Sequence, residues 1–537
     1  MTSAVEQSGA GIFHSPWPDV AIPDLPYADF VLAGAAARGD KPALVDGPTG
    51  RTITYAQLAG GSKRVAAGLA ARGFGKGDVF AILSPNVPEY AVAFYGVAAA
   101  GGINTTINPL YTVDELAKQL GDSGARLLLT VAPFADKALE AAERTGVEEV
   151  FVLGEAVSDE HGRTATPFAS LLATDAAPPA VEIDPASDVV ALPYSSGTTG
   201  LPKGVMLTHR NLVANIAQSQ PILTTTEADT VLAVLPFFHI YGLTVVLGMA
   251  IRAGATVVTM PRFDLEEFLR LNQDHGVSRG FLAPPLMLAL AKHPLVDKYD
   301  LSAMRFITCG AAPLSAELEA AVADRLGCLV AQGYGMTETS PVTVASPSDA
   351  AQIRHGAAGQ VLPNTECRVV DPATGELLGT GAVGELCFRG PQNMLGYLGR
   401  PDETAAILRK DGWLHTGDLG YVDEDGYVYL VDRVKELIKY KGMQIAPAEL
   451  EAVLLAHPAI ADAAVIRVPD EDAGEVPKAF VVPAAEISTE DVMAWVAERV
   501  APYKRVRQVE FIDAIPKAPS GKILRRVLMA REAEARA

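Results

Sequence analysis

The chain has 537 residues, 49% hydrophobic and 20% charged. That balance fits a well-packed soluble enzyme of about two to four folding units rather than a disordered chain. A net charge of −20, with no long basic run or interleaved aromatic patch, argues against nonspecific nucleic-acid binding.

The first two-thirds alternates short apolar runs with helical patterns. Residues 51–55 read as a strand, followed by an amphipathic helix to 71. Residues 78–83 read as a strand and 90–100 as a helix. Thr112-Val113-Asp114-Glu115 has the form of a capping box opening the next helix, and 126–131 is strand again. Such β–α alternation implies mainly parallel sheets covered by helices. Residues 173–185, rich in Ala and Pro, read as a surface connection. Residues 188–192 form a short buried strand that feeds a polar, glycine-rich loop. No Asp, Glu, Lys or Arg occurs in 231–251, but Pro236, His239, Gly242 and Gly248 interrupt it. It divides better into a buried strand, a loop and a buried helix than into a membrane span, so no stable membrane insertion is expected. Apolar runs at 255–260 and 305–308 continue the alternation, and 361–389 is strand-rich, which suggests a small β-subdomain. A charged stretch at 431–436 precedes a fresh α/β unit with helices at 448–455 and 490–500 and strands at 463–467 and 508–512. The domain boundary is expected near Lys435, giving units 1–434 and 435–537. No internal repeat stands out.

Cys309, Cys328, Cys367 and Cys387 are scattered singly, with no C-x-x-C pair. A zinc site or disulfide framework is not expected, and a reducing, cytoplasmic compartment is the simpler reading. The N-terminus lacks the basic and apolar regions of a secretory signal, and 535–537 is not a peroxisomal tripeptide.

Chemistry concentrates in Tyr194-Ser195-Ser196-Gly197-Thr198-Thr199-Gly200-Leu201-Pro202-Lys203-Gly204. Gly197 and Gly200 allow backbone angles at which N–H groups converge on an anion. The hydroxyls of Ser195, Ser196, Thr198 and Thr199 add donors, and Lys203 adds a charge on a flexible stem. This is a polyphosphate cradle on a strand-to-loop junction. Leu201-Pro202 separates Gly200 from Lys203, so the Walker spacing is absent and an ordinary P-loop ATPase is disfavoured.

Further polar clusters occur at Phe238-His239-Ile240-Tyr241-Gly242, Gln332-Gly333-Tyr334-Gly335-Met336-Thr337-Glu338, Trp413-Leu414-His415-Thr416-Gly417-Asp418, Gly442-Met443-Gln444-Ile445-Ala446-Pro447 and Pro519-Ser520-Gly521-Lys522-Ile523. Together with the Lys203 loop, and in this order along nearly the whole chain, they resemble the adenylate-forming superfamily of acyl-CoA ligases, adenylation domains and luciferases. Leu235-Pro236-Phe237-Phe238-His239-Ile240-Tyr241, the stretch from Lys435 to Gly442, and Tyr503-Lys504-Arg505 are most similar to 4-coumarate- or cinnamate-CoA ligases.

That resemblance implies an α/β fold: a large N-terminal domain of two α/β subdomains plus a small β-subdomain, followed by a mobile α+β C-terminal lid. It implies two half-reactions: a carboxylic acid and ATP give acyl-AMP and pyrophosphate, and coenzyme A then displaces AMP. Lys203 and its loop hydroxyls would hold the β/γ-phosphates, and Glu338 would bind Mg²⁺. Thr337 would reach the α-phosphate. Gln332, Gly333 and Tyr334 would meet the nucleotide, with Tyr334 on adenine, and Asp418 beside Arg433 would take the ribose. Lys522 would stabilise charge developing between carboxylate and α-phosphate. His239 would line the acyl site. In the lid, Lys435 would be the hinge, Lys439, Gln444 and Lys522 would face the adenylate, and Lys441 and Gly442 would face CoA, with Arg262 near its phosphates.

The acyl pocket implied is Tyr241, Thr244, Phe281, Thr308, Gly310, Ala311, Gly333, Gly335, Pro341, Val342 and Thr343. The small Gly310, Gly333 and Gly335 are expected to leave a flat slot for a planar ring. Plant coumarate ligases commonly carry Lys at the place of Thr308 and Asn at that of Thr244. Their replacement weakens a hydroxyl anchor, so cinnamate is expected to be at least comparable to 4-coumarate. A medium-chain fatty acyl-CoA ligase stays open as an alternative. A luciferase-type oxidase, a noncatalytic nucleotide-binding module and a peptide-synthetase adenylation unit are less favoured. The oligomeric state is not readable.

Overall fold

The computed structural model describes residues 11–195, 202–441, 443–470, 472–519 and 521–536. Three sheets organise them. One is built on the parallel strands Val79–Leu83, Ile103–Ile107, Ala125–Val131 and Glu149–Leu153. Every residue of Val79–Leu83 is buried, as befits a strand covered on both faces. At one end of this sheet Val189–Ala191 meets Lys203–Thr208 antiparallel, and Lys203–Thr208 in turn pairs with Tyr194–Ser195.

A second sheet holds the parallel strands Thr230–Ala233, Thr256–Thr259, Arg279–Leu282, Phe306–Cys309 and Leu329–Gly335. Leu329–Gly335 then turns back antiparallel against Val342–Ala345, and the sheet runs on through Gly359–Val361, Tyr427–Arg433, Leu414–Val422, Gly384–Arg389 and Glu366–Val370. The strand-rich segment expected as a small β-subdomain is hydrogen-bonded into the main sheet, through the pair Val344 and Val361. The strands that follow it, Leu414–Val422 and Tyr427–Arg433, carry Asp418 and Arg433.

The third sheet comprises Ile438–Tyr440, Met443–Ile445, Ile460–Asp470, Gly474–Pro483 and Gln508–Phe511, with helices Pro447–Leu455 and Thr489–Ala497 packed on it around Leu450, Val465, Val481 and Val492. It shares no strand with the sheets before it.

Local chemistry sets several boundaries. Thr112 accepts from the Glu115 N–H at 3.3 Å while Glu115 accepts from the Thr112 N–H at 2.9 Å, the reciprocal box expected from sequence. Thr54 caps the helix Tyr55–Ala70 in the same way, so the preceding strand stops at Thr54, one residue short of the expected end. The uncharged stretch holds the strand Thr230–Ala233 and a π-helical segment, Tyr241–Met249. A Cβ on Gly242 would sit 2.1 Å from the Pro236 carbonyl oxygen, so only glycine lets this helix start against that loop. Among the described residues no helix is long and apolar enough to cross a membrane. All four cysteines are buried and unpaired.

Candidate active site

A cavity of about 1060 Å³ opens where the three sheets meet. Its walls include Ser195, Lys203, His239, Tyr241, Thr308, Gly310, Ala311, Gly333, Tyr334, Gly335, Thr337, Glu338, Pro341, Val342, Arg433, Lys435 and Lys522. Residues spread over more than three hundred positions of sequence thus share one space. Ser196, Gly197, Thr198, Thr199, Gly442 and Ser520 lie outside the described residues.

The two ends of the phosphate loop are pinned by pairing of Tyr194 with Gly204 and Ser195 with Lys203. Lys203 is buried, forms an ion pair with Glu403, and lies 4.9 Å over the Tyr397 ring. Beside it, the buried Glu338 accepts from the Ser195 hydroxyl at 2.9 Å and the Tyr397 hydroxyl at 2.7 Å. A cation and a carboxylate therefore stand on either side of Tyr397, at the mouth of the loop.

Across the cavity Asp418 accepts from the Tyr334 hydroxyl at 2.7 Å and pairs with Arg433 at 3.1 Å. Asp418 faces the space through these partners rather than lining it directly. Glu385 supports this turn by accepting from the Gly417 N–H and from His415, both at 2.9 Å. Cys387 lies 3.4 Å from the same imidazole, so Glu385, Cys387 and His415 cluster within 4.8 Å. Arg368 reaches the other ring nitrogen of His415 at 3.4 Å. Burial pushes the Cys387 thiol up to about 12, which leaves it neutral.

Lys522 enters from the third-sheet unit. Its hairpin closes through the Ala518 N–H to the Lys522 carbonyl and the Gly521 N–H to the Ala518 carbonyl, both 2.8 Å. Gly521 has φ +84°, and a Cβ there would lie 3.0 Å from Pro285 Cδ, so the turn rests tightly on the start of the helix Pro284–Lys292. Burial, then the nearby Arg433 charge, lowers the Lys522 amine to about 8. His239, half-buried on the cavity wall, is held down to about 4, first by desolvation and then by Lys522, so its imidazole is neutral.

On the apolar side the Tyr241 hydroxyl donates to the Thr308 carbonyl at 3.2 Å. The three glycines expected to form a slot divide by cause. A Cβ on Gly335 would lie 2.0 Å from the Pro341 carbonyl oxygen, and one on Gly310 would lie 3.1 Å from the Tyr241 ring. Those two are required by backbone and ring packing. Only Gly333, whose nearest neighbour would be 3.5 Å away, leaves room. The hydroxyls of Thr244 and Thr308 are buried without a hydrogen-bond partner among the described residues.

Other expected residues stand off the cavity. The Gln332 side chain is committed to the Leu314 backbone at 3.0 and 3.1 Å and to Glu319 at 2.9 Å, leaving its backbone for any ligand. Phe281 and Thr343 are buried behind the wall, Thr343 donating to the Tyr334 carbonyl. Lys439 and Gln444 are paired on an exposed hairpin, and Lys441 follows at its turn with φ 48°. They do not accompany Lys522 into the cavity, because the hairpin lies at the edge of its sheet while Lys522 sits on a separate turn. Arg262 is exposed.

The family model described as AMP-binding enzyme matches residues 32–398, and that of the AMP-binding enzyme C-terminal domain matches 449–522. The chain belongs to the AMP-binding enzyme family. Among curated members it is 47% identical to 4-coumarate–CoA ligase 5 of Oryza sativa subsp. japonica over 97% of each chain. Among solved members it superposes on an anthranilate CoA ligase in complex with anthranoyl-AMP with TM-score 0.87 and 26% identity, covering 96% of this chain and 99% of the other. ATP-bound MatB from Rhodopseudomonas palustris gives 0.84 at 31% identity, over 94% and 98%. In this AMP-binding enzyme, sequence reasoning missed Tyr397, Glu403 and Glu385. Each acts on a residue 32 to 200 positions away, through tertiary contacts that no local motif announces.

Proposed function

We propose that the protein is an AMP-forming carboxylate–CoA ligase whose substrates are cinnamate- and 4-coumarate-type aryl acids. The observation that carries this reading is the meeting, around one cavity, of Lys203, Glu338, Arg433 with Asp418 behind it, and the depressed Lys522 amine beside the neutral, Tyr241-lined arm. Near-full-length similarity to 4-coumarate–CoA ligases supports the acid class.

In the first half-reaction an acid carboxylate oxygen attacks the α-phosphorus of ATP, and the bond to the pyrophosphate oxygen breaks. The attacking carboxylate is already ionised, so no general base is needed. What must be overcome is repulsion between anions. Lys522 is the cation at that point, and its desolvated amine interacts more strongly than it would in water. Lys203 and the loop of Ser195, Ser196, Gly197, Thr198 and Thr199 take the β- and γ-phosphates, and Thr337 takes the α-phosphate. Tyr334 and the backbone at Gln332 and Gly333 take the base, and Asp418 with Arg433 takes the ribose. The buried oxygen ligand Glu338, beside the phosphate loop, suits a hard cation, and it would hold Mg²⁺. Bound there, Mg²⁺ would neutralise phosphate charge.

In the second half-reaction the CoA thiol sulfur bonds to the acyl carbon and AMP leaves with the former carboxylate oxygen. We assign Lys441, Gly442 and Arg262 to CoA, and Lys439 and Gln444 to a lid orientation other than the one described. His239, neutral and half-buried on the cavity wall with Lys522 as its neighbour, lines the path by which the thiol reaches the acyl carbon. Lys435 is proposed as the hinge between units 1–434 and 435–537. It falls between the last main-sheet strand, Tyr427–Arg433, and the first strand of the third sheet, Ile438–Tyr440. Closure on the Lys522 turn would also shield the labile acyl-AMP from water. Four buried, unpaired cysteines support a cytoplasmic location.

The test is AMP release and thioester formation across cinnamates, benzoates and medium-chain fatty acids, with and without CoA. Aryl-acid-dependent thioester and AMP in equal amounts are expected. Preferential turnover of fatty acids overturns the acid class.

A further inference from the structure

Lys203 is buried, and its charge is met by the Glu403 carboxylate. Glu403 is also approached by Arg400 at 3.4 Å, so one carboxylate sits between two cations. Lys203 and Arg400 together hold the Glu403 carboxyl below its usual range, Lys203 more strongly. Glu403 lines the cavity and Arg400 does not, which places the carboxylate between the open space and the guanidinium. Arg400 has spare capacity. Its Nε is buried without a hydrogen-bond partner among the described residues, and its other contact, Asp122, is 3.8 Å away. Asp122 in turn accepts from the Tyr194 hydroxyl at 2.7 Å, directly before the phosphate loop. The arrangement of an anion held by a lysine and an arginine at the mouth of a phosphate loop is that of a phosphate subsite with a protein oxygen in it.

We propose that Glu403 is the resident counter-anion of this subsite, seated where the terminal phosphate of the nucleotide goes, and that Arg400 is a second phosphate-binding cation exposed when Glu403 yields. The inference rests on the ATP reading above and extends it to two residues outside the expected set. Its consequence is selective. Any ligand with β- or γ-phosphates must displace Glu403, whereas AMP need not. The resident carboxylate therefore weakens ATP and pyrophosphate alone, and favours release of pyrophosphate after adenylation.

Calorimetric titration of Mg-ATP, Mg-pyrophosphate and AMP into the wild-type chain and into Glu403→Gln, Glu403→Asp and Arg400→Gln tests this. Glu403→Gln should bind ATP and pyrophosphate roughly tenfold more tightly, the scale of one charge-assisted hydrogen bond, with AMP affinity unchanged. Arg400→Gln should bind both polyphosphates several-fold more weakly and AMP as the wild type does. Glu403→Asp keeps the charge and should stay near the wild-type ATP-to-AMP ratio. Unchanged AMP affinity also reports that each variant is folded. An ATP-to-AMP ratio that is unmoved or lower in Glu403→Gln, or unmoved in Arg400→Gln, overturns the inference while the nucleotide reading stands. A wild-type chain that binds neither ATP nor AMP overturns both.

Discussion

Lys522 must carry a proton to oppose the charge that gathers between an attacking carboxylate and the α-phosphate. Its amine lies at about 8 in the free protein, lowered mainly by burial and then by Arg433, and partly restored by Asp418, Glu436 and Glu338. The sign follows directly. Below about pH 8 the amine is charged and adenylation is supported. As pH rises through that value the charge is lost and adenylation falls, with only about a tenth of the amine protonated one unit higher. Because kcat/KM reports groups of the free enzyme, the descent belongs in kcat/KM for ATP. Bound phosphates raise the amine again, so kcat should stay flatter over the same range. His239, held near 4, does not titrate there. Lys522→Ala should lower adenylation by roughly 10²–10³-fold, the range for removing one preorganised electrostatic partner, and spare thioester formation from supplied acyl-AMP. Lys522→Arg keeps a charge at all these pH values and should remove the descent. Single-turnover assays of each half-reaction separate the outcomes. A profile flat through pH 8 in the wild type, the same descent in Lys522→Arg, or equal loss of both half-reactions in Lys522→Ala refutes the assignment.

Asp418→Ala strips an acceptor from Tyr334 and a partner from Arg433, so KM for ATP and Kd for AMP should both rise, by about tenfold or more, in initial-rate and titration assays. Glu338→Gln preserves the side-chain oxygen that meets Ser195 and Tyr397 but removes the charge, and pyrophosphate exchange should then need about tenfold more Mg²⁺ for half-maximal rate. The orphan hydroxyls of Thr308, on the cavity wall, and of Thr244, buried behind it, are uncharged, so catalytic efficiencies for cinnamate and 4-coumarate should lie within about tenfold of each other. An efficiency for 4-coumarate far above that for cinnamate contradicts this. Gly333→Ala should reduce turnover of ring substrates with an unchanged melting temperature, whereas Gly335→Ala should destabilise the fold by about 3 kcal/mol or more, because its Cβ would meet a backbone carbonyl.

What sequence could reveal depended on whether the controlling interaction was local. The Thr112 cap and the buried strand before the phosphate loop follow from neighbours in the chain, and both appear where expected. The π-helical form of Tyr241–Met249 is not marked in its apolar composition, which could not separate it from an ordinary helix. The strand-rich character of 361–389 was legible, but its hydrogen bonding into the main sheet through Val344 and Val361 leaves no mark in composition. Gly310 and Gly335 read as room for a ring, but a glycine written in sequence does not say whether ligand, side chain or backbone needs the space. Glu403 had no motif at all, and its meaning comes from its tertiary contact with Lys203, 200 positions earlier.

The central claim is that the acid is activated by direct attack of its carboxylate on the α-phosphate. Cinnamate labelled with ¹⁸O in the carboxyl group, incubated with ATP, Mg²⁺ and CoA, tests it by mass spectrometry of the nucleotide product. Direct attack gives one ¹⁸O in each AMP, none in pyrophosphate, and one retained in the thioester carbonyl. Unlabelled AMP, or ADP with label in released phosphate, would contradict it.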